Sequence, residues 1–294
     1  MQGILRLLRR NASRNDNFHR FGEFTLSLPK CNDICGQCFT RTDVIGDIMY
    51  ILGVDFETTG LAESKDTITE IGAVLWDWEN KKPALLMSEL IAIPENVSLN
   101  QVVVEMNGIT EQLLAEFGSE PAAALNRLNK MGEKADYIMA HNAEFDKRFY
   151  VSSTELAGVV PLLCGKLWLD SAADVEYPKN ISVRKLTFLA AEHNFLNPFK
   201  HRAVFDVLTM FRVVQGYKIE RIIRSATEPK YELKAKVPFD SRQRAKERSF
   251  RWDDKNMEWV KTVKESMLKK ELKCCNFEVY FRKKGSDEEW RKEE

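Results

Sequence analysis

The sequence predicts an α/β fold: a mixed sheet, begun by an antiparallel meander and completed by parallel strands, flanked by helices and followed by a small α+β C-terminal appendage. Three observations carry this. Just after Met49, three apolar or alternating runs follow one another with short gaps ("YILGVDF", "TITEIGAVLWDW", "ALLMSELIAI"). Helical patterns and short apolar runs then take turns, which argues helices packed on the faces of a sheet. Beyond Pro229 the composition turns basic and aromatic.

Each element has its own signal. "YILGVDF" is apolar enough for a strand buried on both faces. "TITEIGAVLWDW" alternates and reads as a second strand, and "ALLMSELIAI" as a third. "ITEQLLAEF" and "EPAAALNRLNKMGE" have helical spacing, with Thr110 and Ser119 as the expected N-caps. "DYIMAHN" is a short strand, a helix follows in "AEFDKRFY", and "GKLWLDS" reads as a fifth strand. "SVRKLTFLAAEHN" predicts a helix opening at Ser182, and "HRAVFDVLTMFRVVQ" a long one. The expected organisation is a leader without fold over 1–48, a main domain over 49–217, a linker over 218–230, a basic and aromatic module over 231–282 and a frayed, charged tail over 283–294.

Composition narrows the class. The 294 residues, 44% of them apolar, suit one domain of about 150–200 residues with appendages. No apolar run approaches the roughly 18–20 residues that span a membrane. The net charge of zero hides an asymmetry: residues 49–214 hold 15 basic and 23 acidic side chains, a net of −8, and residues 215–294 hold 22 and 16, a net of +6. The six cysteines form no spread-out framework, so a reducing cytoplasm is expected. Cys31, Cys35 and Cys38 cluster, but a zinc site needs four ligands and His19 is the only nearby fourth candidate, so chance clustering is the expectation.

The acids at the ends of apolar segments carry the chemistry. Asp55 and Glu57 end the first strand and, with a period of two, point to one side. Asp146 lies on the first turns of a helix just past another strand. His201 and Asp206 are five apart in "HRAVFD". On one helix that offset is about 140°, so they border one cleft only if His201 sits on a loop or first turn. Each acid alone reads as a turn or cap residue. Together, clustered carboxylates repel one another unless cations neutralise them. Hard oxygen ligands select Mg²⁺ or Mn²⁺, and two such ions about 3.5–4 Å apart clamp a phosphodiester undergoing in-line displacement. A neutral histidine nearby can take the proton of the attacking water.

In this order, "VDFETTGL", "HNAEFDKRF" and "HRAVFD" resemble the three motifs of the DEDDh 3′–5′ exonucleases, the DnaQ-like family that includes the epsilon proofreading subunit of DNA polymerase III. "MNGIT" is similar to the family's "HGIT" element, with Asn107 where histidine is common, a departure expected not to touch the chemistry. The resemblance covers about residues 50–215. It implies a ribonuclease H-like sheet and release of nucleoside 5′-monophosphates from a 3′ end. Carried over, Asp55, Glu57, Asp146 and Asp206 would hold two Mg²⁺ (or Mn²⁺), with Asp55 bridging the ions, and His201 would be the general base. Thr58 and Leu61 would contact the terminal nucleotide, and Asn142 and Phe145 would support the strand.

DNA, single-stranded or 3′-ended, is the expected substrate. RNA trimming by the same chemistry is the close alternative, since the pocket must tolerate or reject a 2′-hydroxyl. An inactive nucleic-acid-binding protein on this fold is the third reading, and the presence of all five chemical residues argues against it. A polymerase-held subunit would carry a tether, which the appendage does not resemble. The compact layout suits a phage or bacterial protein. Within the appendage, Phe239, Phe250, Trp252 and Trp259 are interleaved with lysines and arginines. They read either as a mini-domain core or as a surface that stacks bases and tracks phosphates. Members of the family often begin near the first strand, and Met49 stands just before it. "GDIM" also admits codons with GGAG ahead of the Met49 codon, so translation from Met49 is expected.

Overall fold

The computed structural model describes residues 48–254 and 256–292; the expected leader and its cysteine cluster lie outside them. The first sheet is built from β1 (Tyr50–Thr58), β2 (Ile68–Asp77), β3 (Lys82–Leu90), β4 (Tyr137–Ala140) and β5 (Trp168–Asp170), in the order β3-β2-β1-β4-β5. β1 pairs antiparallel with β2 and β2 with β3, whereas β4 pairs parallel with β1 and β5 with β4. The meander and the parallel extension are both present.

β1 is central, and its alternation sorts the molecule into two cores. Leu52, Val54 and Phe56 face a core shared with α3 (Pro121–Gly132) and α4 (Ala143–Leu156). Ile51 faces the other core, shared with α5 (Leu186–Glu192), α6 (Ala203–Val214) and α7 (Ile219–Thr227). Gly53, Asp55 and Glu57 continue the Ile51 side. Two glycines let α6 lie close on it. A Cβ on Gly53 would stand 2.4 Å from the Phe211 ring, and one on Gly72 would stand 2.3 Å from the backbone of Ala203 and Val204. Gly72 is the cross-strand partner of Asp55, so this close approach brings the start of α6 to the acids.

Several boundaries move. The sequence shows no clear signal for α1 (Gln101–Asn107), which Asn100 caps. Thr110 caps α2 (Glu111–Phe117) as expected. α3 is capped by the Glu120 carboxylate rather than by Ser119, because the backbone of Ser119 is committed to a bridge with Ile91. α5 opens at Leu186, not Ser182; the chain before it is held by buried Ile181 and by Arg184 lying 4.6 Å over the Tyr177 ring. Residues 218–230, read as a linker, contain α7, whose Ile219 and Ile222 bury into the same core as Met210 and Val214. The i, i+3 spacing of those isoleucines is the helical signal that the charged flanks obscure.

The remaining chain forms a second, wholly antiparallel sheet, order β10-β9-β6-β8-β7. It comprises β6 (Lys230–Lys236), β7 (Arg251–Asp253), β8 (Glu258–Lys264), β9 (Glu278–Lys283) and β10 (Arg291–Lys292), with α8 (Arg242–Glu247) and α9 (Glu265–Cys274). The tail read as frayed thus supplies β10, paired with β9 through Arg291 and Lys292. Phe250 and Trp259 are buried in this module's core with Leu233, Ala235, Ala245 and Val279. Phe239 and Trp252 are exposed. No helix among the described residues is long and apolar enough to cross a membrane.

Candidate active site

The site lies where β1 ends. Asp55 and Glu57 project from the α6 side of the strand. Asp146, on the first turn of α4, reaches the same rim, where its Oδ1 accepts the Phe56 N–H at 3.2 Å. Asp206 stands on the first turn of α6. His201 sits in the turn before it, with φ of +62°. This left-handed turn resolves the five-residue offset: the backbone N–H of His201 donates to Asp206 Oδ2 at 3.0 Å, folding histidine and acid onto one cleft. Ligand atoms of Glu57, His201 and Asp206 all lie within 4.8 Å of one another. Asp55 and Asp146 fall outside that trio; Asp146 is buried beside it and Asp55 half-buried.

Two asparagines orient two of the acids. Asn107 Nδ2 donates to Glu57 Oε2 at 3.1 Å while its Oδ1 accepts the Ile109 N–H at 2.9 Å. Asn197 Nδ2 donates to Asp206 Oδ1 at 2.7 Å while its Oδ1 accepts the Phe199 N–H at 2.9 Å. In each case the turn fixes which way the amide faces. Asn107, expected to stand apart from the chemistry, thus holds an acid of the cluster.

Glu70 is the residue that sequence reasoning missed. It is the cross-strand partner of Glu57 and has no exposed surface. Its carboxylate takes a fork of hydrogen bonds from Arg202 (2.9–3.3 Å), the N–H of Ala203 (3.0 Å) and the Ser88 hydroxyl (3.3 Å). It pins the turn carrying His201 to the sheet. Its signal was a carboxylate beside the apolar run of β2, legible only once Arg202 is known to reach it.

The other expected residues surround the acids. Thr58 is buried and its hydroxyl donates to Gly60 O at 2.5 Å, shaping the loop that leaves Leu61 82% exposed. Asn142 has φ of +71° and donates its N–H to Asp170 Oδ1 at 3.1 Å; its side chain caps nothing. Phe145 is half-buried against Phe149, with ring centroids 4.8 Å apart. His141 meets Ser171 Oγ at 2.8 Å, as befits a hydrogen-bonding loop residue.

The electrostatics suit a bound divalent cation. Among the described residues no lysine or arginine forms an ion pair with Asp55, Glu57, Asp146 or Asp206; Arg202 goes to Glu70 instead. Burial first, then the neighbouring Asp146, Glu57, Asp206 and Glu70 carboxylates, hold Asp55 well above the ordinary carboxylate range. Burial holds Asp146 well above it too, and raises Asp206 against the lowering effect of the His201 N–H. Glu57 is pushed up to about 7, chiefly by burial and against the hydrogen bond from Asn107. An all-oxygen donor set with unneutralised charge fits a hard divalent cation.

This has a signed consequence for stability. The folded acids keep protons that the unfolded chain has released above its ordinary carboxylate pKa of about 4. The metal-free protein is expected to lose stability as pH rises from about 4 through the Glu57 value of about 7. Mg²⁺ should reverse the loss at pH 8, since it binds only the folded, ionised cluster. Thermal melts from pH 5 to 8, in EDTA and in MgCl₂, check this; a metal-free melting temperature that climbs over that range overturns it.

Comparison with known proteins agrees with this geometry. The exonuclease family model RNase_T matches residues 52–214. The PolC-type DNA polymerase III of Listeria monocytogenes is 28% identical over 174 residues, covering 59% of this chain but only 11% of that protein. The chain therefore spans about a tenth of the length of that relative. Among solved structures, an exonuclease I structure aligns with a TM-score of 0.55 at 13% identity, over 74% of this chain and 62% of that one. The zinc-bound E. coli ExoI–single-stranded DNA complex aligns with a TM-score of 0.52 at 15% identity, over 64% and 48%. These likenesses, together with the converging acids and histidine, establish that the chain belongs to the DnaQ-like, DEDDh exonuclease family on a ribonuclease H-like fold.

Proposed function

We propose that the protein is a 3′–5′ exonuclease that hydrolyses DNA with two Mg²⁺ or Mn²⁺ ions and releases nucleoside 5′-monophosphates. The observation that carries this reading is the convergence of four carboxylates that pair with no lysine or arginine among the described residues, beside a histidine with a ring nitrogen within 4.8 Å of Glu57 and Asp206 oxygens. Asp55, Glu57, Asp146 and Asp206 would hold the ions, which when bound neutralise the acids and polarise the phosphodiester. Asn107 and Asn197 keep two of those carboxylates aimed. His201 accepts the proton of the attacking water, its position set by the Asp206 carboxylate and by the Arg202–Glu70 fork. Exposed Leu61 wedges against the terminal nucleotide, and Asn142 and Phe145 line the path of the strand.

The deciding experiment offers one sequence as 5′-labelled single-stranded DNA, duplex DNA and RNA, with Mg²⁺ or EDTA. The expected result is a ladder shortening from the 3′ end of DNA, dependent on Mg²⁺, with 5′-mononucleotides as product. Faster shortening of RNA would favour the trimming alternative, and no release from any strand would leave only a binding protein. His201→Ala should lower kcat by about 10²–10⁴-fold with KM largely kept. Its pH–rate profile should differ in shape from that of the parent; an unchanged profile removes His201 as the base.

A further inference from the structure

We propose that the C-terminal module is a second grip on the substrate, binding single-stranded nucleic acid upstream of the end held at the acids, through Phe239, Trp252 and the cations around them. The proposal rests on the nuclease reading above and goes beyond it.

The interleaved aromatics divide into two sets. Phe250 and Trp259 are buried and account for the folding of the module. Phe239 and Trp252 do not, being 75% and 42% exposed. The Arg242 guanidinium lies 3.9 Å from the Phe239 ring centroid. Trp252 stands edge-on to Trp259 with centroids 5.5 Å apart, which anchors its ring at the surface. Arg244, Lys246 and Arg251, close by in sequence, are exposed. Rings beside cations offer what a single strand takes without regard to sequence, a π-face for the base and charge for the phosphate.

Charge argues for the same surface. The catalytic region, 49–214, carries a net of −8, so its general field repels a polyanion; the chain after it carries +6. The basic charge that draws a strand in lies in the chain after residue 214, most of which is the module.

The module is also fastened to the catalytic domain on the active-site side. Lys264, at the junction of β8 and α9, places its Nζ 2.7 Å from Asp174 Oδ1 and donates to Ala173 O and Ser225 Oγ at 2.8 and 2.5 Å. The side chains of the pair are only 17% and 4% exposed. Asp174 Oδ2 accepts the Asp170 N–H at 2.7 Å, and Asp170 Oδ1 accepts the N–H of Asn142, beside the acids. A short hydrogen-bonded path therefore links the module's anchor to the rim of the site.

The test uses the full chain. In an Asp55→Asn background, binding of 5′-fluorescein oligonucleotides of 6 and 30 nucleotides, as DNA and as RNA, is followed by anisotropy over a salt series. Phe239→Ala with Arg242→Gln should weaken the 30-mer about tenfold, the scale of one lost stacked base, and flatten its salt slope by about 0.7 per lost phosphate contact. The 6-mer should be unaffected, as should turnover of a 6-mer by the same pair of substitutions in the active enzyme. Phe239→Tyr alone should bind like the parent, since the ring is kept. Equal loss on both lengths, or no loss on either, overturns the second grip. A parent that binds neither DNA nor RNA 30-mer overturns the nuclease reading itself, so the two failures are distinguishable. Matching melting curves confirm that the substituted module is folded.

Discussion

Asp55→Asn is expected to abolish metal-dependent nucleotide release and, in the same protein, to raise the metal-free melting temperature. The first effect should be at least about 10³-fold, since several kcal/mol of charge stabilisation in the transition state depend on the acids of this cleft. The second follows because, among the described residues, no lysine or arginine forms an ion pair with these acids. Asp55 is desolvated and faces Asp146, Glu57, Asp206 and Glu70, so an uncharged isostere removes repulsion from the folded state. A gain on the order of 1 kcal/mol, about 2–4 °C, is expected at pH 8 in EDTA. A site that is a stability liability until metal arrives is the ordinary cost of function. Steady-state nuclease assays and metal-free melts on one preparation check both. Wild-type activity in the variant sinks the metal assignment, and a lowered metal-free melting temperature sinks the electrostatic account.

Arg202→Ala should be the most destabilising single change at the site, by about 3–5 kcal/mol. The reason is asymmetric burial. The Arg202 side chain is 40% exposed whereas that of Glu70 is 1% exposed, so removing arginine strands a buried carboxylate with only the Ala203 N–H and the Ser88 hydroxyl. Glu70→Gln keeps the shape and part of the hydrogen bonding, leaves an arginine that solvent can reach, and should cost only about 1–2 kcal/mol. Urea denaturation of both variants tests the order; a larger loss for Glu70→Gln would refute it. Folded Arg202→Ala should also show lower kcat at saturating Mg²⁺, because the turn bearing His201 keeps only the Ala203 N–H bond to Glu70 of β2.

Much of this protein was legible in one dimension. The period of two placed Asp55 and Glu57 on one side of β1, and the apolar run around them announced a central strand. The motifs in "HNAEFD" and "HRAVFD" supplied the remaining chemistry. The module was visible as a change in composition, but alternation could not say which aromatics were core. The helix over 219–227 was hidden because only Ile219 and Ile222 mark it within a charged segment, and their partners Met210 and Val214 belong to another helix. Ser119 looked like a cap because cap propensity is local, whereas its engagement with Ile91 is not.

What the sequence determined by itself was the order of the five strands of the first sheet, the family and the residues that carry charge into the cleft, because periodicity and motif spacing are properties of neighbours along the chain. Only the tertiary structure decided how those charges are held. The closeness of α6 depends on Gly53 and Gly72 standing beneath Phe211 and Ala203. The aim of Glu57 and Asp206 depends on Asn107 and Asn197, separated from their acids by 50 and 9 residues. The turn at His201 depends on Glu70, 132 residues before its partner Arg202. These are contacts across the sheet, set by how two packed layers meet, and no local pattern encodes them.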